Sequence, residues 1–139
     1  MAVITKYLEL STRGNADSVD ITQHMKEALD ETGLHDGLVT VFVSGATGAI
    51  TTVEHESGLI QDMKDLWESI IPSSKDYHHD RTWGDGNGHS HLRATLIGPS
   101  LSVPFSAGSL TLGTWQQVIF IDFDTRSRSR RLVLQFMGE

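Results

Sequence analysis

The chain has 139 residues, 38% of them hydrophobic, enough to fill one core and too few for two, so residues 1–139 are read as a single domain. It contains no cysteine, which excludes disulfides and thiolate metal sites and leaves histidine nitrogens and carboxylate oxygens as the ligands for any metal. A formal net charge of −7 opposes attraction to nucleic-acid phosphates, and the only basic cluster is Arg126, Arg128, Arg130 and Arg131, so no nucleic-acid partner is expected.

No apolar run approaches the roughly 20 residues that cross a bilayer. The opening MAVITKYLEL alternates apolar and polar residues where a secretory signal would be continuously apolar, so no membrane partner and a cytoplasmic location are expected.

Val3 to Leu10 alternates in the manner of a strand with one more apolar face, and STRGNADS after it reads as a loop. Ile21, Met25, Ala28 and Leu29 recur at helical spacing; Asp20 and Gln23 resemble a capping box and Gly33 a terminator, which predicts a helix over 20–32. Leu38 to Val43 is β-branched and aromatic and reads as a buried strand, with a second strand over Ala49 to Val53. Leu59, Met63, Leu66, Trp67 and Ile70 define a second amphipathic helix that Pro72 stops.

Ser73 to Ser90 is rich in Gly, His, Asp and Asn and reads as one long polar loop. The β-prone segments Leu92–Ile97, Leu101–Phe105, Gln116–Phe123 and Leu132–Met137 follow, with RSRSRR as a charged turn before the last. The expected fold is α+β, a mixed or antiparallel β-sheet sandwich packed with two or more helices.

The chemistry concentrates in YHHDRTWGDGNGHSH, where four histidines, two aspartates and an asparagine fall within fifteen residues. On a strand, His89 and His91 point to one face and present two imidazoles to one cation, with His79 closing the set across the loop. Of the neighbours His78 and His79, His79 is favoured to point inward. Spacing alone does not separate a ligand cluster from a solvated polar loop, because no sharp zinc pattern such as H-E-x-x-H is present. His24 and His35 read as structural or solvated, and Glu54, His55 and Asp62 as either site or solvated surface.

The stretch SLSVPFSAGSLTLGTWQQV, Ser100 to Val118, resembles the signature of the YjbQ-type family, also described as secondary thiamine-phosphate synthases, with GTWQ at Gly113 to Gln116 its most specific element. The similarity takes in Glu54, Asp62, Tyr77, His79, Gly84, Ser90, His91 and the ending Ser129-Arg130-Arg131 through Gly138-Glu139. One departure is Gly45-Ala46-Thr47, where many family members carry His-Thr-Thr or His-Thr-Ser; either His89 or His55 replaces the missing histidine, or the site binds phosphate or a different metal.

The resemblance implies a compact YjbQ-like homotrimer that joins a pyrimidine methyl diphosphate to a thiazole phosphate with release of diphosphate. On that reading the partner is a phosphorylated small molecule and the catalytic set is Glu54, His79, His91 and Arg130. A divalent ion, magnesium or zinc, would sit on His79, His89 and His91, with Gly84, Asn87 and Ser90 contacting the ligand. Arg130 and Arg131 are equally suited to salt bridges between subunits. The alternatives are a metal-assisted hydrolase of an anionic small molecule and a non-catalytic trimer that binds an anion or metal.

Overall fold

The computed structural model describes all residues 1–139. In chain order the elements are β1 (Ala2–Thr12), β2 (Asp17–Asp20), α1 (Thr22–Thr32), β3 (Gly37–Val43), β4 (Gly48–Val53), α2 (Ser57–Ile70), α3 (His78–Trp83), α4 (Gly88–Ile97), β5 (Ser100–Ser106), β6 (Ser109–Leu110), β7 (Gln117–Asp122) and β8 (Arg128–Gly138). The strands form a five-stranded sheet in the order β1-β8-β3-β5-β6 and a three-stranded sheet in the order β2-β7-β4, and every pairing is antiparallel. This is the expected α+β sandwich, with four helices.

Side-chain alternation along β7 explains the layering. Val118 and Phe120 point into the main core with Val39, Val41, Leu132, Leu134 and Phe136 of the large sheet and Ile21, Met25 and Leu29 beside α1. Ile119 and Ile121 point the other way, against Ala49, Trp67 of α2 and Ala94 of α4. The small sheet is thus buried on both faces, which is why β7 reads as a continuous apolar run. Along β1 half-buried and exposed residues alternate instead, because only one face of the large sheet is covered within the chain.

Helix termini follow local chemistry. Glu56 caps α2, its carboxylate accepting from Gly58 N at 2.8 Å and Leu59 N at 2.6 Å. α1 ends at Gly33 in the left-handed conformation at φ 70°. The anticipated capping box is absent: α1 starts at Thr22, whose amide donates to Asp20 Oδ1 at 2.9 Å.

Three boundaries differ from the sequence expectation. The loop over 11–18 contains the start of β2, pinned by Asp17–Asp20 pairing with Ile119–Asp122. The charged segment is mostly strand, since β8 begins at Arg128. The largest correction lies between Ser73 and Ile97, where the expected loop and strand are two helices, α3 and α4. Leu92–Leu96 alternates apolar and polar residues, yet Arg93, Ala94 and Ile97 face inward while Leu92, Thr95 and Leu96 face out, a helical period. No helix is long and apolar enough to cross a membrane.

Candidate functional site

α3 and α4 carry the histidines, and a single carboxylate ties their ends together. Asp80, in the first turn of α3, accepts a hydrogen bond from Gly88 N, the first residue of α4, at 2.8 Å. Close approach there requires glycine, since a Cβ on Gly88 would lie 2.7 Å from the Cβ of Tyr77. Gly84 ends α3 in the left-handed conformation, and Gly86 follows with φ 66°.

His79 and His91 meet across this joint. Their ring centroids lie 4.5 Å apart with the planes inclined at 56°. Together with Tyr77, His78, Gly88 and Leu92 they line a cavity of about 360 Å³. His79 is half-buried while His78 is exposed. His79 Nε2 lies 3.1 Å from Asn87 Oδ1, so with that oxygen accepting, Nε2 carries the proton and Nδ1 keeps its lone pair free for a cation. Asn87 also opens α4, its carbonyl accepting from Ser90 N at 3.0 Å and His91 N at 3.2 Å.

The expectation that His89 shares a face with His91 fails because the segment is helical, and residues two apart on a helix diverge. His89 is buried, and its Nδ1 has no hydrogen-bond partner. Burial, assisted by the positive charge of Arg93, holds its pKa below the ordinary histidine value and keeps the ring neutral. Ser90 is fully buried with its hydroxyl unpartnered. Gly84 is exposed at the end of α3.

The remaining candidates lie apart from the histidine pair or are already engaged. Glu54 is exposed beyond the end of β4, and Asp62 is exposed on α2. His55 Nε2 lies 3.4 Å from Ser18 Oγ. Arg130 is buried in a two-pronged pair with Asp122, Nε to Oδ2 and Nη2 to Oδ1, both at 2.8 Å. Arg128 pairs with Asp124, and Arg131 with Glu9 at 3.2 Å while lying over the Tyr7 ring. Arg128, Arg130 and Arg131 of the basic cluster are therefore spread along β8, each paired with an acid.

Sequence reasoning missed the partners that shape this region. Asp122 and Asp124 sit at the end of an otherwise apolar strand, a placement that signals buried ion pairs. Burial works against ionisation of Asp122, but hydrogen bonds from Arg130 and Thr12 outweigh it and hold the carboxyl below its usual range. Arg93 of α4 is buried, donating to Ile71 O and to Glu68, whose pKa the Arg93 hydrogen bond lowers to about 2. No group of three or more His, Asp or Glu side chains in the chain is arranged to hold a metal. Trp115 is 72% exposed on a turn that Gln116 fixes, its Oε1 accepting from Gly113 N and its Nε2 donating to Thr52 Oγ1.

Comparison with known proteins gives a consistent result. The family model described as UPF0047 protein YjbQ-like matches residues 6–139. A UPF0047 protein of Archaeoglobus fulgidus is 38% identical over 128 residues, covering 92% of this chain and 97% of the relative. A UPF0047 protein of Methanothermobacter thermautotrophicus is 37% identical over 139 residues, covering 100% of this chain and 95% of the relative. The crystal structure of a YbjQ-like protein of unknown function from Sulfolobus solfataricus superposes with a TM-score of 0.94 at 30% identity, covering 99% of each chain.

These names overturn one expectation. The thiamine-phosphate synthase activity implied by the resemblance appears in none of these descriptions, which give the family only as UPF0047, so that activity is withdrawn as a reading of this protein. The family model spans nearly the whole chain and two relatives exceed 30% identity over 92% and 100% of it, so the chain belongs to the UPF0047 YjbQ-like family.

Proposed function

We propose that the His79–His91 pair is an ion site that receives a small anionic ligand, and that the working unit is a homotrimer in which a second copy completes the site. The observation that carries this reading is the 4.5 Å approach of two imidazoles from different helices, with one ring oriented by Asn87. Two imidazoles fit a divalent ion of the zinc type better than magnesium, which prefers oxygen. Such an ion, when bound, polarises an oxygen of a phosphate or carboxylate group.

The chain's own residues supply only part of a coordination shell, because no third ligand stands near enough to join the pair. Structural zinc sites are closed by four protein ligands, whereas catalytic ones keep a position open. The open arrangement supports an enzyme, with the remaining ligands coming from solvent, the small molecule or a neighbouring copy. The cavity of about 360 Å³ beside the pair is large enough for a small metabolite.

Metal-depleted protein titrated with zinc in a calorimeter tests the reading. One ion per chain is expected, with binding lost in both His79→Ala and His91→Ala and unaffected by His55→Ala. Ion-loaded protein screened against phosphorylated and carboxylated metabolites then identifies the ligand class. Zinc binding that survives removal of both histidines would move the site elsewhere.

A further inference from the structure

Arg130 holds two N–H groups that the chain does not use. Of its five guanidinium donors, Nε reaches Asp122 Oδ2, and Nη2 reaches both Asp122 Oδ1 and Thr47 Oγ1, each at 2.8 Å. Nη1 makes no hydrogen bond within the chain, yet it is not among the sealed polar atoms that lack a partner, so it faces a solvent-reachable opening. The rest of the side chain is buried and locked by Asp122 and Thr47, so these donors are already fixed in direction.

The opening is at Gly45, in the loop between β3 and β4. A Cβ built on Gly45 would lie 3.0 Å from Arg130 Nη1, and no other heavy atom comes within 4 Å of that point outside the glycine and its chain neighbours. Gly45 is itself exposed, and its backbone does not need the left-handed region. A side chain at this position would stand over the guanidinium; glycine leaves it uncovered. The amides of Gly45, Ala46 and Thr47 also make no hydrogen bond within the chain.

We propose that Arg130 Nη1 and the Ser44–Thr47 loop form a phosphate-binding notch, open because residue 45 has no side chain. A phosphoryl group suits it because a tetrahedral oxyanion accepts from a guanidinium and from neighbouring amides through different oxygens at once. Asp122 balances the Arg130 charge, so affinity comes from preorganised donors more than from net attraction, and it is correspondingly modest. It is a site separate from the histidine pair, and its occupancy does not depend on an ion at His79 and His91.

Inorganic phosphate and a small phosphate monoester, titrated into ¹⁵N-labelled protein, test the notch. The amide resonances of Gly45, Ala46 and Thr47 are expected to shift with both probes if any phosphoryl group is accepted, or with the monoester alone if the ester portion adds contacts. Gly45→Val places a side chain over Nη1 and is expected to weaken binding by at least about tenfold, equivalent to about 1.4 kcal/mol, without lowering the melting temperature. His79→Ala is expected to bind phosphate unchanged, which separates failure of the notch from failure of the ion site. Phosphate binding as strong in Gly45→Val as in the parent, or no response of the loop amides to either probe, would overturn the proposal.

Discussion

His79 on α3 and His91 on α4 face each other across a joint made by Asp80 and Gly88, so their spacing of 4.5 Å is set by the helix ends and not by loop flexibility. Asn87 is the remaining member of this arrangement, holding His79 through Nε2. A partner of this kind fixes the tautomer and aim of a ligating imidazole, and its loss typically lowers metal affinity by about 10–100-fold. Asn87→Ala is therefore expected to weaken zinc binding by about that factor while far-ultraviolet circular dichroism stays unchanged. Competition with a chromophoric chelator measures it, and undiminished affinity would show that the Asn87 contact does not orient a ligating His79 ring.

The ends of this region show what was legible in sequence and what was not. The strands β1, β3, β4, β5 and β7 follow from alternation or from β-branched apolar runs, because burial leaves its mark on residue type. α2 follows from the spacing of Leu59, Met63, Trp67 and Ile70. α4 does not, because its inward side includes a buried arginine, a histidine and a serine, which carry no hydrophobic period. Its helicity is secured by contacts distant in sequence: Asp80 on its first amide, and Arg93 on Glu68 and Ile71. The proximity of His79 and His91 was accordingly anticipated on a strand-and-loop geometry that the chain does not adopt.

The Asp122–Arg130 pair is expected to be a structural keystone of the strand ends. Both side chains are buried, and Thr12 adds a hydrogen bond to Asp122 at 2.6 Å. Removing one partner leaves the other charged and unmatched in the interior, which costs about 3–5 kcal/mol. Asp122→Ala is expected to lose that much in urea unfolding. Because the Asp122 carboxyl lies below its unfolded value, its contribution is present above the unfolded pKa and is lost as pH falls through the folded one. Parent protein should therefore lose stability below about pH 4 more steeply than Asp122→Ala. Parallel acid profiles for the two would place the stabilisation elsewhere.

His89 gives a second acid sensitivity, at higher pH. Burial lowers its folded pKa below the unfolded value, so in the window between them the unfolded chain binds the extra proton. Stability is full above the unfolded pKa and declines as pH falls from about 6.5. His89→Leu removes the titrating group and the unpartnered Nδ1 together. Its urea midpoint is expected to change less than that of the parent between about pH 7.5 and about pH 5.5. Equal changes in the two proteins would exclude His89 as the source.

The proposed trimer makes the most direct demand on the surface. On the outer face of the large sheet the register aligns Val3, Met137 and Leu38 in one row and Tyr7, Val133 and Phe42 in another. Val3, Tyr7, Leu38, Phe42 and Met137 are all exposed. The row between them is polar but satisfied in place, Thr5 Oγ1 bonding Gln135 Oε1 at 2.7 Å and Thr40 bonding Ser102 at 2.7 Å, so covering it leaves little hydrogen-bonding capacity unmet. A closed three-membered ring needs two different patches that fit each other, since each copy presents one to each neighbour. The second patch is on the helices, where Leu66 and Ile70 of α2 and Leu92 and Leu96 of α4 are exposed. Leu92 also lines the cavity beside His79 and His91, so a neighbour seated there would stand next to the ion site. Light scattering is expected to give three times the 15.3 kDa chain mass. Phe42→Glu puts a charge into one of the two apolar rows of the sheet patch, and Leu96→Glu one in the helix patch. Each is expected to shift the protein to monomer and to weaken zinc binding together with assembly. A monomeric parent would remove the second copy from the site, and a dimer disrupted only by Phe42→Glu would replace the ring with a two-fold pairing of sheet against sheet.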